Sequence, residues 1–148
     1  MSKVIREYED RWVLPLRGTH VTDIAVRGGN LTLRVDSGIE IRVGMDAELT
    51  PGSIARKDGQ LRPLEEMDFE LVQQALASEI LSCVVGKSGA LRIVFRSGWK
   101  LVVASDRGGA GTSIVEGTIP LWTRGGGLSS ALGYPVRDMN EGRPAGDD

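Results

Sequence analysis

An internal repeat constrains the fold of this chain more than any other feature of its sequence. Shifted by 60 positions, the chain matches itself without a gap from about Trp12 to Leu61. The paired positions keep the same alternation of apolar and polar residues, which a chance match would not do. Representative pairs are Leu16 and Leu76, Ile24 and Val84, Gly29 and Gly89, Leu31 and Leu91, Ser37 and Ser97, and Val43 and Val103. We therefore expect a tandem duplication.

Each copy has the pattern of a three-stranded antiparallel meander. In the first copy, strands are predicted at His20 to Val26, Asn30 to Val35 and Ile39 to Val43. Apolar residues occupy every second position, which is typical of strands with one buried and one exposed face. Asp36-Ser37-Gly38 and its counterpart Arg96-Ser97-Gly98 are predicted hairpin turns, each ending in a glycine that tolerates a positive φ angle.

The outer face of the second copy differs from that of the first. Val94 and Val102 stand where the first copy has Arg34 and Arg42. Such a partly apolar face is covered either by another element of the same chain or by a second subunit. A homodimer is therefore one hypothesis for this protein.

The remaining elements complete an α+β fold that is mainly antiparallel β. Met67 to Ser78 has apolar residues at helical spacing, and Ile119 to Trp122 is predicted as an edge strand that tolerates its proline. The two meanders are expected to form one curved sheet or a half-open barrel with one helix packed across it. The predicted division is a single β-rich domain at 1–128, with repeat one at about 12–61, the helix at about 67–78 and repeat two at about 72–121, followed by a flexible tail at 129–148.

The composition limits the partners and the compartment. The formal charge is −2 at pH 7 and the 18 basic residues are scattered along the sequence, so nucleic acid is not expected as a partner. No segment approaches the roughly 20 apolar residues that cross a bilayer, and the first residues lack the apolar region of a signal peptide. We expect a cytoplasmic protein without a membrane partner. Cys83 is the single cysteine and is expected to be a buried structural thiol.

The sequence has no recognisable catalytic, metal or cofactor motif. His20 is the only histidine, and no nucleophile or metal-ligand motif accompanies it. Asp46 and Asp106 follow the third strand of each copy, where a role in turn geometry is the favoured interpretation. The glycine-rich segments Arg27 to Asn30 and Arg124 to Gly127 match no phosphate-binding fingerprint. We therefore expect no catalytic residue, no metal and no cofactor.

Four residues are candidates for binding a partner. Tryptophan and arginine are the residue types most enriched at binding hot spots, so Trp122 and Arg124, beside the predicted edge strand, form the preferred surface. Val94 and Val102 are the apolar candidates on the outer face of the second copy. For each tryptophan, packing in the core is the alternative.

Three segments together form a pattern that reaches beyond the repeat. They are Trp12 to Thr22, which reads W-x-L-P-L-x-G-x-x-V-T, the second hairpin at Gly89 to Gly98, and Gly126-Gly127-Leu128. The pattern resembles a family of small uncharacterised actinobacterial proteins over most of the chain, up to about Leu128. Asp106 to Gly111 departs from it, since the family has an acidic, aromatic and tryptophan-containing segment there. The resemblance implies no established activity, but similar small β-rich proteins often act as immunity proteins beside secreted toxins.

Three functional hypotheses follow. The leading one is a non-enzymatic module that binds another protein or a second copy of itself, with an immunity or accessory role as its finer form. The alternative is a barrel that holds a small apolar ligand between the two halves, lined by Val35, Phe95 and Trp99. The least favoured is an enzyme with a carboxylate site at Asp46 and Asp106.

Overall fold

The computed structural model describes residues 4–51, 62–104, 112–124, 127–128 and 135–139. Within them the chain is mainly antiparallel β structure, with one α-helix and one short 3₁₀ turn at Leu64–Glu66. The strands are β1 (Ile5–Glu7), β2 (Arg11–Val13), β3 (Val21–Arg27), β4 (Asn30–Val35), β5 (Ile39–Gly44), β6 (Glu48–Pro51), β7 (Arg62–Pro63), β8 (Ile80–Gly86), β9 (Leu91–Phe95), β10 (Trp99–Val103), β11 (Ser113–Glu116), β12 (Ile119–Thr123), β13 (Gly127–Leu128) and β14 (Val136–Asp138), and the helix is α1 (Phe69–Leu76).

The strands form two sheets, and neither closes into a barrel within the described residues. Sheet one contains the first meander and has the order β13-β12-β11-β5-β4-β3. Sheet two contains the second meander and has the order β14-β1-β2-β8-β9-β10-β6-β7. The predicted α+β class with dominant antiparallel strands is confirmed.

Each meander is extended by a strand from the other copy. β6 follows the first meander in sequence but pairs with β10 of the second, where Leu49 lies opposite Leu101. In the same way β11 follows the second meander and pairs with β5 of the first, where Ile114 lies opposite Ile41. The two copies are therefore intertwined, and they cannot separate without breaking backbone hydrogen bonds in both sheets.

The inner strands repeat with the predicted offset. Leu33 lies opposite Ile41 in sheet one, and Ile93 lies opposite Leu101 in sheet two, 60 positions later. All four side chains are fully buried in one continuous core. The period-2 pattern therefore correctly identified the face of each strand that is buried.

The first strand of each meander departs from that offset by one residue. Ile24 lies opposite Leu33, whereas Cys83 lies opposite Ile93, so the structural counterpart of Ile24 is Cys83. The predicted equivalence of Ile24 and Val84 is wrong, because five residues separate the paired Val85 and Leu91, one more than separate the paired Val26 and Leu31. Val84 consequently lies on the outer face of sheet two.

Helix α1 links the copies as predicted, with shorter bounds. It begins after Asp68, whose carboxylate accepts a hydrogen bond from the Glu70 backbone N–H at 3.2 Å. Val72, Ala75 and Leu76 face the core. The predicted range of 67–78 is longer at both ends because Asp68 is the N-cap and Ala77, with φ −79° and ψ 70°, leaves the helical conformation.

Two predictions about the end of the chain differ from the structure. The flexible tail was predicted from residue 129 onward, yet Val136–Asp138 forms strand β14, which pairs in parallel with β1. Ile5 N–H donates to the Pro135 carbonyl at 2.9 Å, so a backbone hydrogen bond also ties the start of this strand. The predicted edge strand at residues 119–122 is β12, which lies between β11 and β13.

Candidate functional site

Arg34, Glu40 and Arg42 form a network of ion pairs on the outer face of sheet one. Glu40 accepts hydrogen bonds from Arg34 Nε at 3.2 Å and from Arg42 Nε at 2.8 Å. The bond from Arg42, supported by the weaker one from Arg34, holds the pKa of the Glu40 carboxyl below its usual value despite the opposing effect of partial burial. Each charge on these three residues therefore has a partner within the sheet.

The same positions of sheet two carry no such network. Val94, Lys100 and Val102 replace Arg34, Glu40 and Arg42, and Val94 lies directly opposite Lys100. Arg92 lies opposite Val102, and Val102 lies opposite Glu48 of β6 on its other side. Arg92 and Lys100 make no ion pair among the described residues, so two cations share this face with two partly exposed valines.

This pattern continues across the neighbouring strands. Val84 on β8 lies opposite Arg92, Val13 on β2 lies opposite Val84, and Arg6 on β1 lies opposite Val13. These side chains form one row perpendicular to the strands. We call the surface the basic outer face, and it consists of Arg6, Val13, Val84, Arg92, Val94, Lys100 and Val102.

Two concave regions open on the basic outer face. A groove of about 520 Å³ is lined by Val84, Arg92 and Val102, together with residues of the β8–β9 turn such as Lys87. Lys87 pairs with Glu7 at 2.7 Å and lies 5.2 Å from the centre of the Trp12 ring, so its position is constrained on two sides. The groove therefore combines apolar side chains with the cations Lys87 and Arg92, and the ion pair of Arg11 with Asp10 also lines it.

The second concave region is a cavity of about 370 Å³ at the other end of the face. Arg6, Arg17 and Arg137 line it, and Val13 and Pro15 are among its apolar wall residues. We call these three arginines and the cavity they line the arginine pocket. Three cationic side chains from β1, from the loop after β2 and from β14 therefore converge on one cavity.

The structure corrects the preferred partner surface. Trp122 is only 1% exposed and packs in the core, opposite the buried Ile114. Arg124 is half-buried beside the β8–β9 turn, where its Cγ would lie 3.1 Å from a Cβ atom placed on Gly89. The two residues therefore do not form an exposed surface together, because β12 turns the tryptophan inward.

The remaining candidate residues lie either on the outer face of sheet two or in and against the core. Val94 and Val102 lie on the outer face of sheet two and are partly exposed, as expected. Val35 and Phe95, predicted to line a ligand cavity, are buried in the core, and Trp99 packs against it.

The described groups that were considered for chemistry lie in different environments. His20 lies between two carboxylates at the junction of the copies, with Nδ1 at 3.5 Å from Asp36 and Nε2 at 3.7 Å from Glu79. Cys83 is fully buried, and burial raises the pKa of its thiol to about 12, which makes it inert as a nucleophile. Asp106, the proposed partner of Asp46, lies outside the described residues.

The described residues contain no group of three or more histidine, cysteine, aspartate or glutamate side chains that could hold a metal ion. No helix among them has the length and apolar character to cross a membrane.

Comparison with known proteins identifies a family. Residues 12–110 match a family of unknown function, DUF6188. The chain belongs to this family. No curated protein and no solved structure matches the chain. The DUF6188 segment includes most of the basic outer face, whereas Arg6 and Arg137 lie outside it, so the arginine pocket is assembled from the segment and its two flanks.

Several residues of this surface were missed in the sequence. Arg92 and Lys100 could have been recognised, because they occupy the outer positions of predicted strands without the glutamate found in the first copy. The outward position of Val84 could not be recognised, because the 60-residue offset equates it with Ile24, whereas the structural counterpart of Ile24 is Cys83. Arg137 gave no local signal, because its position depends on pairing between strands at opposite ends of the sequence.

Proposed function

We propose that this DUF6188 protein is a protein-binding module and that its basic outer face receives an acidic protein partner. The observation that carries the proposal is the alternation of partly exposed valines with cations that lack an ion-pair partner in the described residues. On the matching face of sheet one, both arginines pair with Glu40. An immunity or accessory role would use such a face to hold its partner.

The physical properties of the face support this occupant. Valine side chains supply apolar area that gains free energy when water is removed, at about 25 cal/mol per Å². Arg6, Arg92 and Lys100 supply positive charge around that area, and carboxylates on a partner would complement it. A partner with aspartate or glutamate around an apolar patch therefore fits both features.

A nucleic acid fits this face less well. Proteins that bind single strands stack bases on exposed aromatic rings, and none of the seven residues of the basic outer face is aromatic. The interleaved valines also interrupt the row of cations that would follow a phosphate backbone. Protein is the better match.

The proposal is tested by converting the face of sheet two into that of sheet one. The triple variant V94R/K100E/V102R places the Arg34–Glu40–Arg42 arrangement at the matching positions and leaves the net charge unchanged. Native mass spectrometry of protein purified from its host would identify a bound partner, and titration calorimetry would measure its affinity. We expect an acidic partner, weaker binding at higher salt, and a loss of about 100-fold in affinity in the triple variant.

The matched control lies on the other sheet. The double variant R34A/E40A also preserves net charge, and it should retain the affinity of the unmodified protein. Equal binding by the triple variant would overturn the proposal. Recovery of a nucleic acid, or of a homodimer without a second protein, would replace it with a different function.

A further inference from the structure

We propose that Arg6, Arg17 and Arg137 form a binding site for an oxyanion, either a phosphate group or a carboxylate. The inference rests on the proposed function, since the pocket opens at one end of the basic outer face and would hold an anionic group of the partner. A small anion should also occupy the pocket when that partner is absent.

The backbone arrangement forces two of the cations together. Arg6 and Arg137 are directly opposite each other in the parallel pair of β1 and β14. Neighbouring strands lie about 4.8 Å apart, and like charges at directly opposite positions destabilise the pairing. Both side chains line the same cavity, and Arg17 lines it from the loop after β2.

No protein group neutralises the three arginines within the described part of the chain. The described residues that line the cavity include no carboxylate, and none of the three arginines takes part in an ion pair with a described residue. Elsewhere on the molecule, exposed arginines such as Arg34, Arg42 and Arg96 pair with glutamates. The arginine pocket is therefore a local concentration of uncompensated positive charge.

The walls of the pocket suit an oxyanion joined to an apolar group. Arginine guanidinium groups donate paired hydrogen bonds to phosphate and carboxylate oxygens. Ser82 also lines the cavity, and a serine hydroxyl can donate a further hydrogen bond. Val13, Pro15 and Leu81 form apolar wall, which would contact the carbon atoms that carry the anionic group.

Binding of an anion at this site should also stabilise the pairing of β14 with β1. That strand pairs with β1 alone in sheet two, and it contributes Arg137. An oxyanion between Arg6 and Arg137 would convert their repulsion into two attractive contacts. Binding should therefore strengthen the docking of β14 by the linkage between ligand and structure.

The experiment is a titration of the full-length protein with three anions at equal ionic strength. Inorganic phosphate and glutarate represent the two sources of oxyanion, and chloride is the reference. Calorimetry gives the affinity, and backbone amide NMR shifts of residues 5–7, 13 and 136–138 report the location. We expect saturable binding of phosphate or glutarate, with shifts that chloride does not produce.

Two variants assign the binding to the pocket. R17Q changes a loop residue and R137Q changes an edge-strand residue, so neither removes a core side chain. Each should weaken binding by about ten-fold or more, as expected from the loss of a charge-assisted hydrogen bond. R27Q, an exposed arginine on β3, is the control and should bind as the unmodified protein does.

The outcomes separate this inference from the proposed function. A preference for phosphate identifies a phosphorylated group as the occupant, and a preference for glutarate identifies a carboxylate. Binding no stronger than that of chloride, or binding that R17Q and R137Q leave unchanged, overturns the oxyanion site. If that happens while V94R/K100E/V102R still weakens partner binding by about 100-fold, the proposed function stands without the oxyanion site.

Discussion

The first and second meanders bury equivalent residues on their inner faces and expose different residues on their outer faces. Leu33 and Ile93 occupy the same inner position and are fully buried. On the outer face, Glu40 joins two arginines in sheet one, whereas Lys100 lies between valines in sheet two. The intertwined fold requires both inner faces, because the two sheets share one core.

This difference indicates which positions of the duplicated fold can change without loss of stability. An inner position is held by packing in the shared core, so a change there alters stability. An outer position in the middle of a sheet contacts only its neighbours on that face, so a new surface can arise without rebuilding the core. Val94, Lys100 and Val102 differ in this way from the matching residues of sheet one, while the inner positions of both sheets stay apolar and buried.

The largest expected effect tests the equivalence of the inner faces. L33A and I93A should each lower the free energy of unfolding by about 2–5 kcal/mol, because each removes a buried branched side chain and leaves a cavity. Guanidinium unfolding followed by tryptophan fluorescence measures both. The outer variants T32A and R92A on the same strands should change stability by no more than about 0.5 kcal/mol. A small effect of one inner variant alone would show that the two faces are not equivalent.

A smaller effect distinguishes the two hairpin turns. The Ser97 hydroxyl donates a hydrogen bond to the Ala75 carbonyl of α1 at 2.7 Å, whereas the Ser37 hydroxyl is buried without a hydrogen-bond partner in the described structure. S97A should therefore cost about 1 kcal/mol, and S37A should be neutral or stabilising, since it removes an unsatisfied group. Thermal unfolding of both variants measures the difference. Equal destabilisation would mean that contact with α1 does not distinguish the turns.

The strands and the helix could be predicted because their signals are local. Alternating apolar residues marked β4, β5, β9 and β10, and apolar residues at helical spacing marked α1. The exchange of β6 and β11 between the meanders could not be predicted in this way. Their pairing depends on which sheet edge each strand reaches, and a sequence pattern does not contain that information.

The candidate site was predictable only in part. The outward and partly exposed positions of Val94 and Val102 could be predicted, because the repeat supplied an internal comparison at each position. Trp122 was misassigned because its residue type favours interfaces but does not report which way a side chain points. The pairing of β11 with β12 skips Leu121, which is the extra residue of a β-bulge, and Leu121 and Trp122 are buried in succession, which breaks the simple alternation.

The smallest expected effect concerns the charge network that only sheet one has. The pKa of Glu40 is lowered in the folded state, so its ionised form contributes stability above the unfolded glutamate pKa of about 4.3, and that contribution is lost as the pH falls through the folded value. E40Q should therefore cost about 1 kcal/mol or less at pH 7. Chemical unfolding at pH 7, 5 and 3 should show the difference between E40Q and the unmodified protein shrinking at the lowest pH.

The reciprocal change makes this measurement a test of the comparison. V94R/K100E/V102R introduces a glutamate between two arginines in sheet two, so its stability should gain an additional acid-dependent part of similar size. The same substitution is expected to remove partner binding. A glutamate that leaves the pH dependence of stability unchanged would mean that the sheet two backbone does not hold the network, and that the outer faces differ in geometry as well as in charge.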